Sequence, residues 1–179
     1  MINNVFLTGK IVKVYKYNKE NAIKIYMISD KRTNTVIPVV FRFKNESEKR
    51  EYLSFIRVGN FISIKGIICL KYNKDMGKNE MLILANKCFL EYSNNYSNVF
   101  KAEVTRISNV KRGSNKNSIS FNVYIKDTDS LRIHAFAYGK YSSIILHSNK
   151  NERHYITGSI TMNKYNNLSL KVNTFSKCK

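Results

Sequence analysis

Hydrophobic and polar residues alternate with a period of two along most of the first half of the chain. In the segment 23–27, IKIYM, every second side chain is aliphatic or Met, and the intervening residues are polar or aromatic. Such alternation is typical of strands that bury one face. Together with an enrichment in Ile, Val, Tyr and Phe, it predicts five strands. They are expected at 5–15, 22–29, 36–43, 61–72 and 81–89.

A charged segment between the third and fourth strands follows a different period. Residues 46–56 place Tyr52, Leu53 and Ile56 among Glu, Lys and Arg, which predicts a short amphipathic helix. Five strands with a helix between the third and the fourth are the element order of an OB-fold, a small and partly open barrel. An SH3-like barrel is the alternative, but it offers no place for this helix.

The same landmarks recur in the second half of the chain. NVF at 4–6 returns at 98–100, and the alternation of 23–27 returns at 119–123; VVFRF at 39–43 corresponds to HAFAY at 134–138, and KYN at 71–73 returns at 164–166. Four landmarks in one order indicate a duplication. We therefore expect an all-β chain of two tandem OB-fold barrels, at 1–92 and 93–179. The helix of the second copy is expected at 141–146 as a shorter helix or turn.

Both halves of the chain are strongly basic. Thirty-one Lys and Arg residues oppose twelve Asp and Glu, which gives a formal charge of +19. Up to Tyr92 the balance is 17 to 8, and beyond it the balance is 14 to 4. Charge on this scale favours a polyanionic partner. An anionic membrane surface is the rival, but the sequence has no basic amphipathic helix and no long apolar run, so we expect a cytoplasmic protein without a membrane partner.

Reactive groups do not assemble into a known catalytic or metal-binding pattern. The cysteines, Cys69, Cys88 and Cys178, and the three histidines lack metal-ligand spacing. Asp127 and Asp129 form a carboxylate pair without a third carboxylate nearby in the sequence. A Gly-rich phosphate loop and a nucleophile elbow are also missing. We expect neither catalysis nor a bound metal or cofactor.

The first half resembles the bacterial single-stranded DNA-binding protein family. Its opening segment 3–11, NNVFLTGKI, has that family's Asn, alternating apolar residues and Gly; 39–41, VVF, and the glycines at 59 and 66 are similar to the family's third and fourth strands. The resemblance covers residues 3–92, but in the second copy it covers only 156–158 and the aromatic positions.

This resemblance implies an OB-fold protein that binds single-stranded DNA with little sequence preference, in DNA replication or recombination. It also implies a homodimer of two-barrel chains. The family's acidic, apolar tail is replaced here by a basic end, SKCK at 176–179, so we do not expect partner recruitment by that route.

A single strand of DNA offers phosphates, which attract Lys and Arg, and bases, which stack on aromatic rings. Candidate residues therefore place basic and aromatic side chains together. In the first copy they are Lys24, Tyr26, Phe41, Arg42, Phe43, Lys65, Lys71, Tyr72 and Lys74, and in the second Tyr124, Lys126, Phe136, Tyr138, Lys164 and Tyr165. Phe in a strand is as often a core residue as a stacking platform, which leaves Phe41 and Phe136 open.

Two further functions stay open. In the first, the chain is a tandem OB-fold adaptor, with one copy for nucleic acid and the other for protein docking or dimerisation. In the second, the chain is an RNA-binding module, because OB-folds bind both nucleic acids.

Overall fold

The computed structural model describes residues 3–17, 21–73, 77–114, 117–126, 131–163 and 167–178. The chain forms two compact units, one of Val5–Asn98 and one of Met1–Asn4 with Val99–Lys179. The division lies a few residues beyond the boundary expected after residue 92. No helix in the described part of the chain is long and apolar enough to span a membrane.

Five strands and one helix follow one another in the first unit, at the positions that the alternation predicts. They are β1 (Asn3–Tyr17), β2 (Ala22–Ile28), β3 (Val36–Arg42), α1 (Glu46–Phe55), β4 (Phe61–Asn73) and β5 (Lys78–Glu91). Strand β1 is antiparallel to both β2 and β4, β2 is antiparallel to β3, β3 runs parallel to β5, and β5 is antiparallel to β4. The strands therefore pair in the closed order β1–β2–β3–β5–β4–β1.

The second unit repeats this order of elements and pairings. Its elements are β6 (Ser97–Arg112), β7 (Ser118–Ile125), β8 (Arg132–Tyr138), α2 (Lys140–His147), β9 (His154–Met162) and β10 (Leu168–Lys177). Strand β6 pairs with β7 and β9, β7 pairs with β8, β8 runs parallel to β10, and β10 pairs with β9. The second unit thus has five strands and one helix in the same order as the first.

The core of the first unit lies on one face of β2 and β3. Ile25 pairs with Val39 and Ile23 pairs with Phe41, and all four side chains are at most 1% exposed. Because paired residues of neighbouring strands point to the same side of a sheet, these positions define the inward face. The residues between them, Lys24 and Val40, point to the opposite face and are 6% and 1% exposed. Farther along that face, Tyr26 is partly exposed and Arg42 is exposed.

Helix α1 covers part of that core with an aromatic contact. Asn45 caps the helix, and its side chain accepts a hydrogen bond of 2.8 Å from the backbone N–H of Glu48. The ring of Tyr52 then packs edge-on against Phe41 and Phe43, with ring centres 6.0 and 5.7 Å apart. The predicted amphipathic helix is confirmed.

Two of the family-like glycines lie where strands approach each other closely. A Cβ on Gly66 would overlap the backbone carbonyl oxygen of Leu84, and a Cβ on Gly158 would overlap that of Lys171. Each glycine sits beside a register shift, in the β4–β5 pair and in the β9–β10 pair. Both positions therefore require glycine for the same reason, which is the close approach of the neighbouring strand's backbone.

The register of the repeat differs from the sequence alignment by one residue in the third strands. Ile23 pairs with Phe41, whereas its counterpart Ile119 pairs with Ala137. Phe41 therefore corresponds to Ala137, and the outward Phe136 corresponds to Val40. The expected match of 39–43 with 134–138 is wrong, and such a slip moves every side chain to the opposite face.

Candidate nucleic-acid interface

The outward positions of the second unit form a continuous row of polar, basic and aromatic side chains. On β7 and β8 buried and partly exposed residues alternate strictly, which keeps the apolar half inside. We call the outward set the second-unit face. It comprises Arg106, Ser108, Lys111, Ser118, Ser120, Asn122, Tyr124, Arg132, His134, Phe136 and Tyr138, with Lys171 from the neighbouring β10.

Tyr124 has a cation against its ring at this face. The guanidinium of Arg106 lies 4.1 Å from the ring centre, a cation–π distance. The hydroxyl of Ser108 lies 3.5 Å from the phenol oxygen and can donate to it. Hydrogen bonds from Ser108 and then Arg106 hold the pKa of the Tyr124 phenol below its usual value, and burial opposes them. An aromatic ring and a cation are thus presented together.

Strand β8 adds a second aromatic group with basic neighbours. The rings of Phe136 and Tyr138 meet edge-on at 5.7 Å, and Tyr138 is 52% exposed. Lys171 is paired with Phe136 across the parallel β8–β10 contact, and Arg132 is paired with Tyr124 across β7 and β8. Among the residues that the structure describes, the second-unit face contains basic side chains and no carboxylate.

The first unit has a related cluster on the outward side of β1 and β2. The rings of Tyr15 and Tyr26 meet edge-on at 5.7 Å. The ammonium of Lys13 lies 4.5 Å from the centre of the Tyr15 ring, and that of Lys24 lies 5.3 Å from Tyr26. We call this cluster, with Arg42 beyond it on β3, the first-unit face.

A carboxylate neutralises part of the first-unit face. Lys24 is only 6% exposed, and its ammonium donates to both carboxylate oxygens of Glu80, at 2.6 and 2.8 Å. Burial lowers the pKa of Lys24, but the hydrogen bonds and charges of Glu80 and Tyr26 outweigh it and hold the pKa above its usual value. The prediction that Lys24 contacts phosphate is therefore corrected, because its charge is already paired.

Phe41 and Phe43 are not stacking platforms. They are 1% and 6% exposed, and both pack against Tyr52 of helix α1. Phe41 lies on the inward face because it pairs with the core residue Ile23. Their prediction as base-stacking residues is wrong.

Lysine 126 also has a partner that the sequence does not reveal. Its ammonium lies 3.1 Å from the carboxylate of Glu103, which is 6% exposed and is also 3.3 Å from Arg153. Lys126 thus stabilises a buried carboxylate, which removes it from the row of available cations.

The remaining predicted residues that the structure describes lie at different places on the first unit. Arg42 is exposed on β3, and Tyr72 is 58% exposed on β4. Lys65 lies on the β1–β4 pair, with its ammonium 5.5 Å from the centre of the exposed Phe6 ring, and Lys71 is paired with Glu80 across β4 and β5. Lys74, Lys164 and Tyr165 lie outside the described residues.

Sequence reasoning missed several residues of the two faces. In the second unit they are Arg106, Lys111, Arg132, His134 and Lys171, and in the first unit Lys13 and Tyr15. A signal for some of them was present, because Arg132 and His134 alternate with Ile133 and Ala135 just as Tyr124 alternates with Ile125. Arg106 was hidden by the register shift between Val104 and Arg106, which no alternation rule locates.

Two experimentally solved protein structures are similar to the fold of this chain. A deletion variant of the single-stranded DNA binding protein from Thermus aquaticus is similar with a TM-score of 0.75 and 12% identity, over 99% of this chain and 95% of that chain. The wild-type protein from the same organism gives a TM-score of 0.73 and 11% identity, over 99% of this chain and 93% of that one. No family model matches the sequence, and no curated protein matches it. The resemblance in the sequence is confirmed at the level of the fold: this chain has the fold of a bacterial single-stranded DNA-binding protein along almost its whole length.

Proposed function

We propose that this chain binds single-stranded DNA with little sequence preference, through two tandem OB-fold barrels. The observation that carries the proposal is the second-unit face, where Tyr124, Phe136 and Tyr138 lie beside basic groups and no carboxylate is among the described residues of the face. Bases would stack on the rings, and the phosphates would contact the guanidinium and ammonium groups. The shared fold with a protein named for single-stranded DNA binding supports the same function.

Single strands are favoured over duplex by the kind of groups on the face. An aromatic ring offers stacking only to a base that has left its helical stack, while a basic group serves any phosphate backbone. A protein that used its charge alone would bind duplex as well. The proposal therefore requires both the rings and the charges.

Competition binding tests the proposal directly. A fluorescently labelled oligo(dT) is bound, and unlabelled single strand, duplex and RNA of matching sequence are then added in turn. The proposal predicts displacement by single-stranded DNA at much lower concentration than by duplex. Equal competition by duplex would reduce the face to a basic surface, and stronger competition by RNA would favour an RNA-binding module.

One specific observation favours the alternative function, a tandem OB-fold adaptor in which only one copy binds nucleic acid. The Lys24–Glu80 ion pair neutralises part of the first-unit face, whereas no such carboxylate is found among the described residues of the second-unit face. The two units would then contribute unequally, with the second unit as the main nucleic-acid binder and the first available for another contact. This reverses the order that the weaker sequence resemblance of the second copy suggests.

We also propose a role in DNA replication or recombination, assembly as a homodimer, and the absence of catalysis. A binding protein that coats single strands is required wherever duplex is opened, which supports the first of these. Sedimentation of the full chain with and without oligo(dT) tests the second, with two copies per particle as the expected result.

A further inference from the structure

A polar cavity of about 420 Å³ lies on the second-unit face. It is lined by Asn109, Lys111, Ser120, Asn122 and His134. All five side chains can donate a hydrogen bond, and the two amides and the Ser120 hydroxyl can accept one as well. Its volume falls in the range of about 300–1,000 Å³ that is usual for small-molecule sites.

Three neighbouring strands build this cavity. Strand β6 shifts its register between Ser108 and Lys111, and Asn109 in that bulge has φ +51°, in the left-handed region that Asn tolerates better than most residues. Strand β7 contributes its outward Ser120 and Asn122, and β8 adds His134, which is paired with Asn122. The bulge thus places Asn109 and Lys111 of β6 beside the outward side chains of β7 and β8.

Aromatic rings flank the cavity along both regular strands. Tyr124 is the next outward residue after Asn122 on β7, and Phe136 is the next after His134 on β8. Outward neighbours on a strand are about 6.6–6.8 Å apart, since the rise is about 3.3–3.4 Å per residue. A base stacked on one of these rings would therefore have its hydrogen-bonding edge within reach of the cavity.

We propose that this cavity reads one base of the bound strand and prefers a purine. A purine presents the acceptor N7 beside the group at position 6, an edge that amide and ammonium donors recognise in pairs. Lys111 and His134 supply donors for N7, and the Asn109 and Asn122 amides can serve either an amino or a carbonyl group at position 6. This inference rests on the proposed function and adds one selective position to an otherwise tolerant interface.

The first unit lacks the same chemistry at the equivalent positions. The strand register makes Lys24, Tyr26 and Pro38 the counterparts of Ser120, Asn122 and His134. Lys24 is paired with Glu80, and Pro38 has no side-chain donor. At these described positions the selective chemistry is therefore present in the second unit and absent from the first.

Oligo(dT) strands that each carry one adenine or guanine at a stepped position test this inference. The full chain is expected to bind the best purine-containing strand about tenfold more tightly than oligo(dT) alone, the equivalent of about 1.4 kcal/mol. Replacing that purine by its 7-deaza analogue, which lacks N7, is expected to abolish most of the gain.

Two variants assign the effect to the cavity. Asn122→Val removes an amide with a side chain that suits a strand, and Asn109→Gly removes the other while keeping the left-handed backbone accessible. Asn109→Gly, which lies outside the second-unit face, is expected to keep the affinity for oligo(dT) and to lose the purine preference. Asn122→Val, on that face, is expected to lose the preference as well, measured as the ratio of its affinities for the purine-containing strand and for oligo(dT). Asn86→Val, at an exposed position of the first unit, is expected to change neither.

Equal affinity for oligo(dT) and every purine-containing strand would overturn the inference, as would a preference that survives both variants. Neither result would touch the proposed function. Failure of the chain to bind any of the strands would contradict the proposed function itself.

Discussion

The guanidinium of Arg106 lies 4.1 Å from the centre of the Tyr124 ring, and the two residues are directly paired across β6 and β7. The pairing of the two strands thus brings the Tyr124 ring, which can stack on a base, next to the Arg106 guanidinium, which can bind a phosphate. A guanidinium over an aromatic ring stabilises the pair by about 0.5–1 kcal/mol at an exposed site. The ring is therefore held in place before a nucleic acid arrives.

Truncating this ring should weaken DNA binding. Tyr124→Ala is expected to raise the Kd for oligo(dT) by about 5- to 150-fold, because a base stacked on an aromatic side chain contributes about 1–3 kcal/mol. Fluorescence polarisation measures the change. Tyr92→Ala is the matched control, since Tyr92 is 95% exposed and lies outside both faces. An equal loss in the two variants would contradict the assignment.

The basic residues of the second-unit face should determine the salt dependence. Arg132→Ala and Lys171→Ala are each expected to reduce the slope of log K against log salt by about 0.7, the value for one phosphate of a single strand. Titrations at several salt concentrations give the slope. Lys49→Ala is the control, because the Lys49 ammonium already pairs with Glu46 at 3.0 Å on helix α1. Unchanged slopes for the first two variants would place the phosphates elsewhere.

The Lys24–Glu80 pair should contribute to stability more than to DNA binding. Lys24→Met removes the ammonium that lies 2.6 Å from the carboxylate of Glu80, whose side chain is 26% exposed, and we expect the free energy of unfolding to fall by about 1–3 kcal/mol. The double variant Lys24→Met, Glu80→Leu is expected to recover most of that loss, since both charges of the ion pair are then replaced by apolar side chains. Urea unfolding measures both. A single variant as stable as the parent would show that the pair contributes little.

Buried His154 should make the second unit sensitive to mild acid. It is 2% exposed, and its ring stacks on Phe175 with the ring centres 4.5 Å apart. Burial lowers the pKa of His154 below the ordinary 6.5. Glu152 raises that pKa and Lys177 lowers it, but the effect of burial is the largest. The unfolded chain therefore takes up the proton first, so stability is full above pH 6.5 and falls as the pH drops through the lowered folded value.

Thermal unfolding between about pH 7.5 and about pH 5.5 measures this effect. His154→Phe is expected to flatten the pH dependence, because the variant has no imidazole to protonate and keeps the contact with Phe175. His147→Phe, at an exposed position of α2, is expected to retain the dependence of the parent. A parent protein with no loss of stability in this interval would contradict the role of His154.

The order of the elements could be predicted because local signals agree with one another. Alternation fixed the strands, and the charged segment with Tyr52 and Ile56 fixed helix α1. Gly66 and Gly158 could be singled out in the sequence by their family-like spacing. The structure gives the reason for that spacing, because the close approach of the neighbouring strand leaves no room for a Cβ at either position. These features depend on short stretches of chain.

The faces of the strands could not all be predicted, because facing depends on register. The sequence leaves Phe41 open between the core and a stacking role, and only its pairing with Ile23 places it in the core. The bulge that brings Arg106 opposite Tyr124 is likewise a property of two strands together. The same holds for the Lys24–Glu80 pair, whose residues are far apart in the sequence. Contacts of this kind need the tertiary structure.

The most direct test of the central claim is the affinity of the Tyr124→Ala, Phe136→Ala double variant for oligo(dT). Circular dichroism and thermal unfolding first establish that the variant is folded, and Tyr92→Ala serves again as the control. Polarisation titrations at one moderate salt concentration then compare the three proteins. If the second-unit face binds single-stranded DNA, the double variant loses at least about tenfold in affinity while the control binds like the parent. A folded double variant that binds oligo(dT) as tightly as the parent would contradict the account.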